Sequence, residues 1–460
     1  MSNQQRNRIL ALLFAGVFMG ALDIGIVGPA LPAIKSFFMV NERLVSWIFT
    51  IYILFFMIGT PLMAKLSDMY GRRVIYILDI ILFAVGSAIT AFSLSFEMLL
   101  IGRAIQGFGA GGIFPVASAF IGDTFPPEKR GAALGIIGSV FGLSGVLGPI
   151  LGGLLLSFGW QWLFLINLPI AALIVVLSFH ILPKSIRKWV PAFDWRGALI
   201  LVLLVSSLAY GINQIDTNNL VVSLESLEVW PFILLSLLLI PLLYKFEEKA
   251  EDPIIQIDLL KSREVRLATG ISIGSGLSQA GIVFVPSFAM TAFLLSDSLA
   301  SLMVTPLVIT MAIAAPLIGK LLDRYGSKKI MTLGSAILLL GFFMISSLSD
   351  SFYLFILSGV VIGLGLITIL GSPLRYIMLS ESPPEHRASG QALININASV
   401  GQLVGGAFIG ALIGSQKGGL AGYSAAYIML GLVVLIILFL TLGLKNRKQQ
   451  LMTMKNNLNK

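Results

Sequence analysis

The chain has 460 residues, 57% of them apolar and only 12% charged, with a net charge of +9, two histidines and no cysteine. Soluble domains carry roughly twice that charged fraction, so an ordinary water-soluble fold is excluded, and so are disulfides, thiolate nucleophiles and cysteine metal sites. His180 and His386 lie far apart and no HExxH, GxSxG or P-loop spacing occurs, so nothing points to an enzyme, a metal centre or a resident cofactor. The basic balance reads as loops at a membrane surface and not as a nucleic-acid patch.

Apolar runs of about 20 residues, each long enough for a ~30 Å hydrocarbon core, predict fourteen helices: 9–34, 44–65, 74–95, 98–121, 131–157, 160–182, 196–214, 229–246, 266–293, 300–321, 329–348, 352–378, 388–414 and 423–444. The first is read as a membrane helix and not as a signal peptide, because it is too long, contains Asp23 and lacks a small-x-small cleavage site. An even number of spans leaves both termini on one side. With the termini inside, inner loops receive Lys65, Arg72, Arg73, Lys129, Arg130, Lys184, Arg187, Lys188, Lys320, Arg324, Lys328 and Lys329, and the tail adds Lys445, Arg447 and Lys448. Outer loops receive only Lys35, Arg43 and Lys417, with the acids Asp216, Glu225 and Glu228. This asymmetry predicts a multi-pass membrane protein with both termini cytoplasmic.

The first helix carries Asp23 within "ALDIGIVGPALPAI". A lone carboxylate in hydrocarbon takes up a proton, and a nearby cation favours its release. Ionisable groups inside a membrane are functional by default. The second helix contains Tyr52, a candidate for lining a cavity, and leads into "PLMAKLSDMYGRR". There Gly71 permits a tight turn, while Asp68 can pair with an arginine and cap a helix N-terminus. Asp79, under two turns from Arg73, reads as an acid near the inner interface and a secondary coupling candidate. The fourth helix carries "RAIQGFGAGG", with Arg103 as the candidate partner of Asp23 and Gln106 as a cavity candidate. The alternative for Arg103 is to snorkel toward Glu97 and the outer surface.

The fifth helix, "GSVFGLSGVLGPILGG", sets Gly138, Gly142, Gly145, Gly148, Pro149 and Gly152 largely at three- and four-residue steps. Small residues in that pattern let helices approach closely in lipid. Phe141 beside them is a weak cavity candidate. "WQWLFLINLPI" opens the sixth helix, with Trp160 and Trp162 at an interface. Further on, Gln279, Asn395 and Asn397 are weak cavity candidates, the two asparagines straddling two faces, and Arg375 reads as an inner-surface residue.

Two loops repeat. "PLMAKLSDMYGRR" from Pro61 returns as "PLIGKLLDRYGSKK" from Pro316, an offset of 255, which maps Asp68 to Asp323 and Gly71 to Gly326. "PPEKRGAALG" from Pro126 returns as "PPEHRASGQA" from Pro383, an offset of 257. The repetition predicts an internal duplication: an all-α polytopic protein with a six-helix bundle over 1–185, an extra helix pair and connector over 186–262, and a second bundle with a tail over 263–460. Parallel six-helix repeats build one class of secondary transporter, with the substrate site between the halves. The Asp68–Gly71–Arg72–Arg73 cluster, with Asp323 and Gly326, would latch the inner ends of the halves together.

On these motifs the chain resembles the major facilitator superfamily, and more closely its fourteen-helix drug:proton antiporter branch. "AKLSDMYGRR" is similar to the superfamily signature G-x-L-x-D-R-x-G-R-R, with Ala64 and Met69 departing from it. "GPILGG" is similar to the antiporter motif that marks export, "WQWLFLINLP" to W-R-W-x-F-x-I-N-x-P with Gln161 for Arg, and "LDIGIVGPALP" to L-D-x-T-x-V-N-x-A-L-P with Gly25 and Gly28 replacing Thr and Asn. The resemblance implies a bacterial cell-membrane antiporter that acts by alternating access as a monomer. It would export amphipathic small molecules, drugs or lipophilic cations, and so confer antibiotic resistance. The proton would be its coupling ion, with Asp23 and Arg103 coupling it and no cofactor. Export of one metabolite or lipid is the alternative; a membrane enzyme or passive channel is disfavoured.

Overall fold

The computed structural model describes residues 1–27, 31–40, 42–183, 194–215, 220–250, 253–295, 297–347, 351–416 and 419–458. The described residues form helices and connections, with no strand. Fourteen helical segments among them are long and apolar enough to cross a membrane. They are α1 (Asn3–Val27), α2 (Glu42–Tyr70), α3 (Arg72–Ala91), α4 (Phe96–Thr124), α5 (Pro127–Leu156), α6 (Asn167–Ile181, after a turn at Trp162–Leu165), α7 (Trp195–Asn213), α8 (Trp230–Glu247), α9 (Arg263–Phe293), α10 (Thr305–Tyr325), α11 (Ser327–Ser347), α12 (Phe352–Leu370 and Ser372–Glu381), α13 (Arg387–Ser415) and α14 (Leu420–Leu442). A further helix, α15 (Arg447–Leu458), follows where the sequence suggests only a tail.

Each predicted run coincides with one span, but several boundaries differ. The first run is not one helix to residue 34: α1 ends at Val27 and a separate helix, Leu31–Phe38, begins beside Pro32, which has no N–H to continue a helix. α2 runs on to Tyr70, so Asp68 lies on its last turn and not in a loop; Gly71, at φ 99°, is the single residue joining α2 to α3. Gly326, at φ 82°, does the same between α10 and α11. A Cβ resists this conformation, which explains glycine at both places. The twelfth run is interrupted at Gly371 (φ −79°, ψ −135°), and Pro373 opens its second piece.

The two bundles meet along α5 and α10 at nearly backbone distance. A Cβ built on Gly142 would stand 2.5 Å from the Ala312 nitrogen, one on Gly135 2.5 Å from the Ala315 oxygen, and one on Gly145 2.6 Å from Val308 Cγ1. Without water to drive helices together, such van der Waals approach is what holds them. The glycine motif is only partly this seam. Gly138 has nothing within 4 Å, Gly148 packs on Gly25 of its own bundle, Gly152 is buried, and the Pro149 side chain lies outside the described residues. Gly131 and Gly135, before the motif, face Gly319 and Ala315 instead. On the other side Ala64, Ala119, Ala388 and Ala392 pack α2 and α4 against α13. The extra pair sits outside α2: Ala198, Leu201 and Val205 of α7 pack with Met57 and Ile58.

The helix α15 lies under the junction at the end that carries both termini. Its Gln450 and Met454 are buried. Gln450 Oε1 accepts the Ser327 N–H (3.3 Å), and Asn457 Nδ2 donates to the Ser380 oxygen (2.9 Å). Of the residues used to orient the chain, Lys184, Arg187, Lys188, Asp216 and Lys417 lie outside the described residues, as does Gly28 of the first motif.

Candidate functional site

Five spans of the first bundle converge on one carboxylate. Asp23 and Arg103 are both fully buried, and Arg103 Nη1 donates to Asp23 Oδ2 at 2.7 Å. Gln106, one turn on along α4, donates from Nε2 to Asp23 Oδ1 (2.8 Å) and to Ser87 Oγ of α3 (2.8 Å), and its Oε1 accepts from Arg103 Nη1 (2.6 Å). Asn167, the first residue of α6, donates from Nδ2 to the same Asp23 Oδ1 at 3.2 Å. Arg103 Nε reaches the Ile48 oxygen of α2 (3.3 Å), and the guanidinium lies over the Tyr52 ring, 4.2 Å from its centroid. The carboxylate thus accepts three side-chain hydrogen bonds and faces a cation. Groups so satisfied tolerate burial, and removing one leaves the rest uncompensated.

Spacing places these residues. Arg103 and Gln106 are three apart and share a face of α4. Glycines at the same level bring the neighbours close: a Cβ on Gly86 would strike the Gln106 backbone, and one on Gly107 the Tyr52 oxygen. The pairing of Asp23 with Arg103 was legible in the sequence, and Arg103 does not turn toward the exposed Glu97. Two expected cavity residues are elsewhere: Gln106 is fully buried within the network, and Tyr52, 1% exposed, lies beneath Arg103 with its hydroxyl unpartnered. Asn167 and Ser87 were missed. The "INLP" segment contains Asn167, but nothing in one sequence says which face of α6 meets Asp23.

Asp79 is not at an interface. It is fully buried, both oxygens lack a hydrogen-bond partner, and it stands against Gly112 of α4. Nearby Tyr76 instead donates to the Leu12 oxygen (3.2 Å).

At the end bearing the termini, the bundles clasp each other twice, by the same device. Asp68 accepts the N–H groups of Ala388 (3.1 Å) and Ser389 (2.8 Å) and the Ser389 hydroxyl (2.6 Å), at the start of α13. Asp323 accepts those of Gly131 (2.9 Å) and Ala132 (2.8 Å), in the first turns of α5. Asp68 therefore caps α13 of the other bundle, where free N–H groups and the dipole favour an anion, and Asp323 binds backbone N–H groups about one turn into α5. Arg72 adds a pair with Asp68 and donates from Nε to Asp123 Oδ2 (3.1 Å) and from Nη2 to the Pro384 oxygen (2.9 Å). Arg387 Nη1 crosses back to Asp123 Oδ1 at 2.6 Å. Asp123 and Arg387 were not foreseen. Arg73 Nη2 donates to the Phe179 oxygen of its own bundle (2.7 Å).

Among the remaining cavity candidates, Phe141 is 43% exposed and meets Phe114 edge-on at 5.1 Å. Asn395 accepts a hydrogen bond from Arg375 (2.8 Å), which is 8% exposed and so buried, not an inner-surface residue. Asn397 points about 200° away round the helix, with its amide nitrogen buried and unpartnered. Gln279 is half-buried. No group of three or more metal-ligating side chains occurs among the described residues.

The chain is 34% identical over 398 residues to the Uncharacterized MFS-type transporter YfiU of Bacillus subtilis, covering 85% of this chain and 77% of that one. It is 32% identical to Multidrug resistance protein 3 of the same organism, over 74% and 66% of the two chains, and 28% identical to the Riboflavin transporter RibZ of Clostridioides difficile, over 88% of each. The fold is similar to that of the human organic anion transporter MFSD10, with a TM-score of 0.71 at 18% identity over 96% of this chain and all of the other. The proton:xylose symporter XylE gives 0.68 at 13% identity, over 95% of each. The sequence pattern of the Major Facilitator Superfamily matches residues 13–245 and 267–455, and the chain belongs to that family of membrane transporters.

Proposed function

We propose that this transporter is a proton-coupled exporter of amphipathic small molecules, with Asp23 carrying or gating the coupling proton. The observation that carries the reading is the buried Asp23–Arg103–Gln106–Asn167 network, which links α1, α4 and α6 of one bundle. Protonating Asp23 would release Arg103, whose Nη2 already lacks a partner, and so free α1 to move against α4. Such a local event biases a two-state equilibrium only through the difference it makes between the states. The clasp at Asp68 and Asp323 supplies the state to be biased: it holds one end of the bundles closed, and opening breaks both contacts. In this reading that end faces the cytoplasm and one chain suffices, since both clasps are made within it.

The names of several relatives, the multidrug resistance proteins among them, support export of varied amphipathic compounds. The riboflavin transporter supports the second reading, a single metabolite as cargo. Inverted vesicles in which a pH gradient drives uptake of fluorescent drugs test the first. If riboflavin-like metabolites are concentrated and drugs are not, the second holds. If neither uptake responds to the gradient, proton coupling is wrong. In that outcome Asp79, buried without a partner, is the next acid to test.

A further inference from the structure

The twelfth span is broken, and the break holds a cation. Past Gly371, the second piece of α12 runs ten residues from Ser372, and Arg375 stands in its first turn. The dipole of a helix favours anions at that end and opposes cations. Arg375 is also 92% buried, and no carboxylate among the described residues pairs with it. Its guanidinium makes one side-chain hydrogen bond, from Nη2 to Asn395 Oδ1, and Nη1 has no partner. By contrast the buried Arg103, Arg72 and Arg387 each reach a carboxylate. The flat face of Arg375 is covered from the opposite bundle by Phe114, whose centroid is 3.6 Å away. Phe114 in turn meets the half-exposed Phe141.

A guanidinium buried without a counter-charge is costly, and here a helix N-terminus adds to the positive potential. Broken membrane helices whose half-helix N-termini face anionic groups are a recurrent form of transporter site. We infer that Arg375, with the opening turn of the second piece of α12, receives the carboxylate or sulfonate of an aromatic cargo, and that Phe114 and Phe141 take its ring. This rests on the export reading and narrows it: the cargo is an organic anion or zwitterion. The oxygens of Asp23 are already held by Arg103, Gln106 and Asn167, so that carboxylate is not free for a lipophilic cation. Phe114 and Arg375 belong to different bundles, so separating the bundles uncovers the guanidinium and frees its planar fork for a carboxylate.

The test is equilibrium binding of two matched probes, 2-naphthoate and 2-naphthylmethylammonium, to the purified full-length protein. Wild type binds naphthoate at least about 10-fold more tightly than the ammonium. R375Q weakens naphthoate about 10- to 100-fold, the loss of one charge-assisted hydrogen bond or two, and changes the ammonium less than about twofold. R375K keeps the cation without the fork and falls between. A wild-type preference for the ammonium, no binding of naphthoate, or an equal loss of both probes in R375Q overturns the inference and leaves Arg375 a packing or gating residue. If R375Q does not fold, the wild-type preference and R375K decide. Binding needs no gradient: naphthoate preference without pH-driven transport retires the coupling reading alone, and uphill export of the ammonium with no binding of naphthoate retires this one alone.

Discussion

Asp68 and Ala388, 320 residues apart, are joined by a 3.1 Å hydrogen bond from the backbone of one to the carboxylate of the other. The bond closes one end of the molecule, and the duplicated acid Asp323 repeats it on Gly131. Asp68→Asn keeps the shape but removes the charge that faces a helix N-terminus. Transport is expected to fall several-fold at an unchanged membrane level, and Asp323→Asn to do the same. The chain has no native cysteine, so spin labels at Lys129→Cys and Lys320→Cys report the spacing directly. It should broaden in Asp68→Asn and broaden further in the double variant. An unaltered spacing and rate would make the acids mere topological signals.

Asp23→Asn removes the titratable group and leaves an amide of nearly the same shape. The expected outcome is loss of pH-driven uphill export, with downhill exchange partly retained. Asp23→Glu should keep some activity at a displaced pH optimum. Uphill transport by Asp23→Asn at the wild-type rate would falsify the assignment.

Arg103→Lys keeps a cation but cannot reach both Asp23 and the Ile48 oxygen or stack on Tyr52 as a planar group. We expect folded protein with slowed transport. Arg103→Ala strands the buried carboxylate and is expected to cost about 3–5 kcal/mol, read as a lower melting temperature in detergent. Equal melting of the two variants would argue against a buried ion pair.

Two glycines of one motif should behave oppositely. Gly142→Val forces a side chain into the Ala312 backbone and is expected to abolish transport, because α5 and α10 could then no longer close on each other. Gly138→Ala meets open space and should be silent in the same vesicle assay. Loss of activity in both would assign the motif some role other than close packing.

Orientation is checked by reporters. One that is active only in the cytoplasm should work when fused after Lys460 and be silent when inserted between Glu225 and Glu228. The reverse pattern would turn the molecule over, and the coupling direction with it.

The number of spans, the matching glycine turns after Asp68 and Asp323, and the partnership of Asp23 with Arg103 were legible along the chain. Length of apolar runs, spacing of repeated motifs and the rarity of charge in hydrocarbon are all one-dimensional properties. Gly71 and Gly326 were legible because a left-handed turn leaves glycine as its mark. Other features depended on how helices rotate about their axes. Asn167 and Ser87 complete the buried network around Asp23, Gln106 joins it, and Arg73 bonds the Phe179 oxygen of its own bundle, each because of the face it presents to a neighbour. In a membrane span hydrophobic periodicity is weak on every side, so the sequence does not say which face is which. The break at Gly371 shows the same division. A glycine and a proline near it hint at an interruption, but only the packed bundles decide that Arg375, past that break, lies under Phe114 of the other half with no acid to meet it.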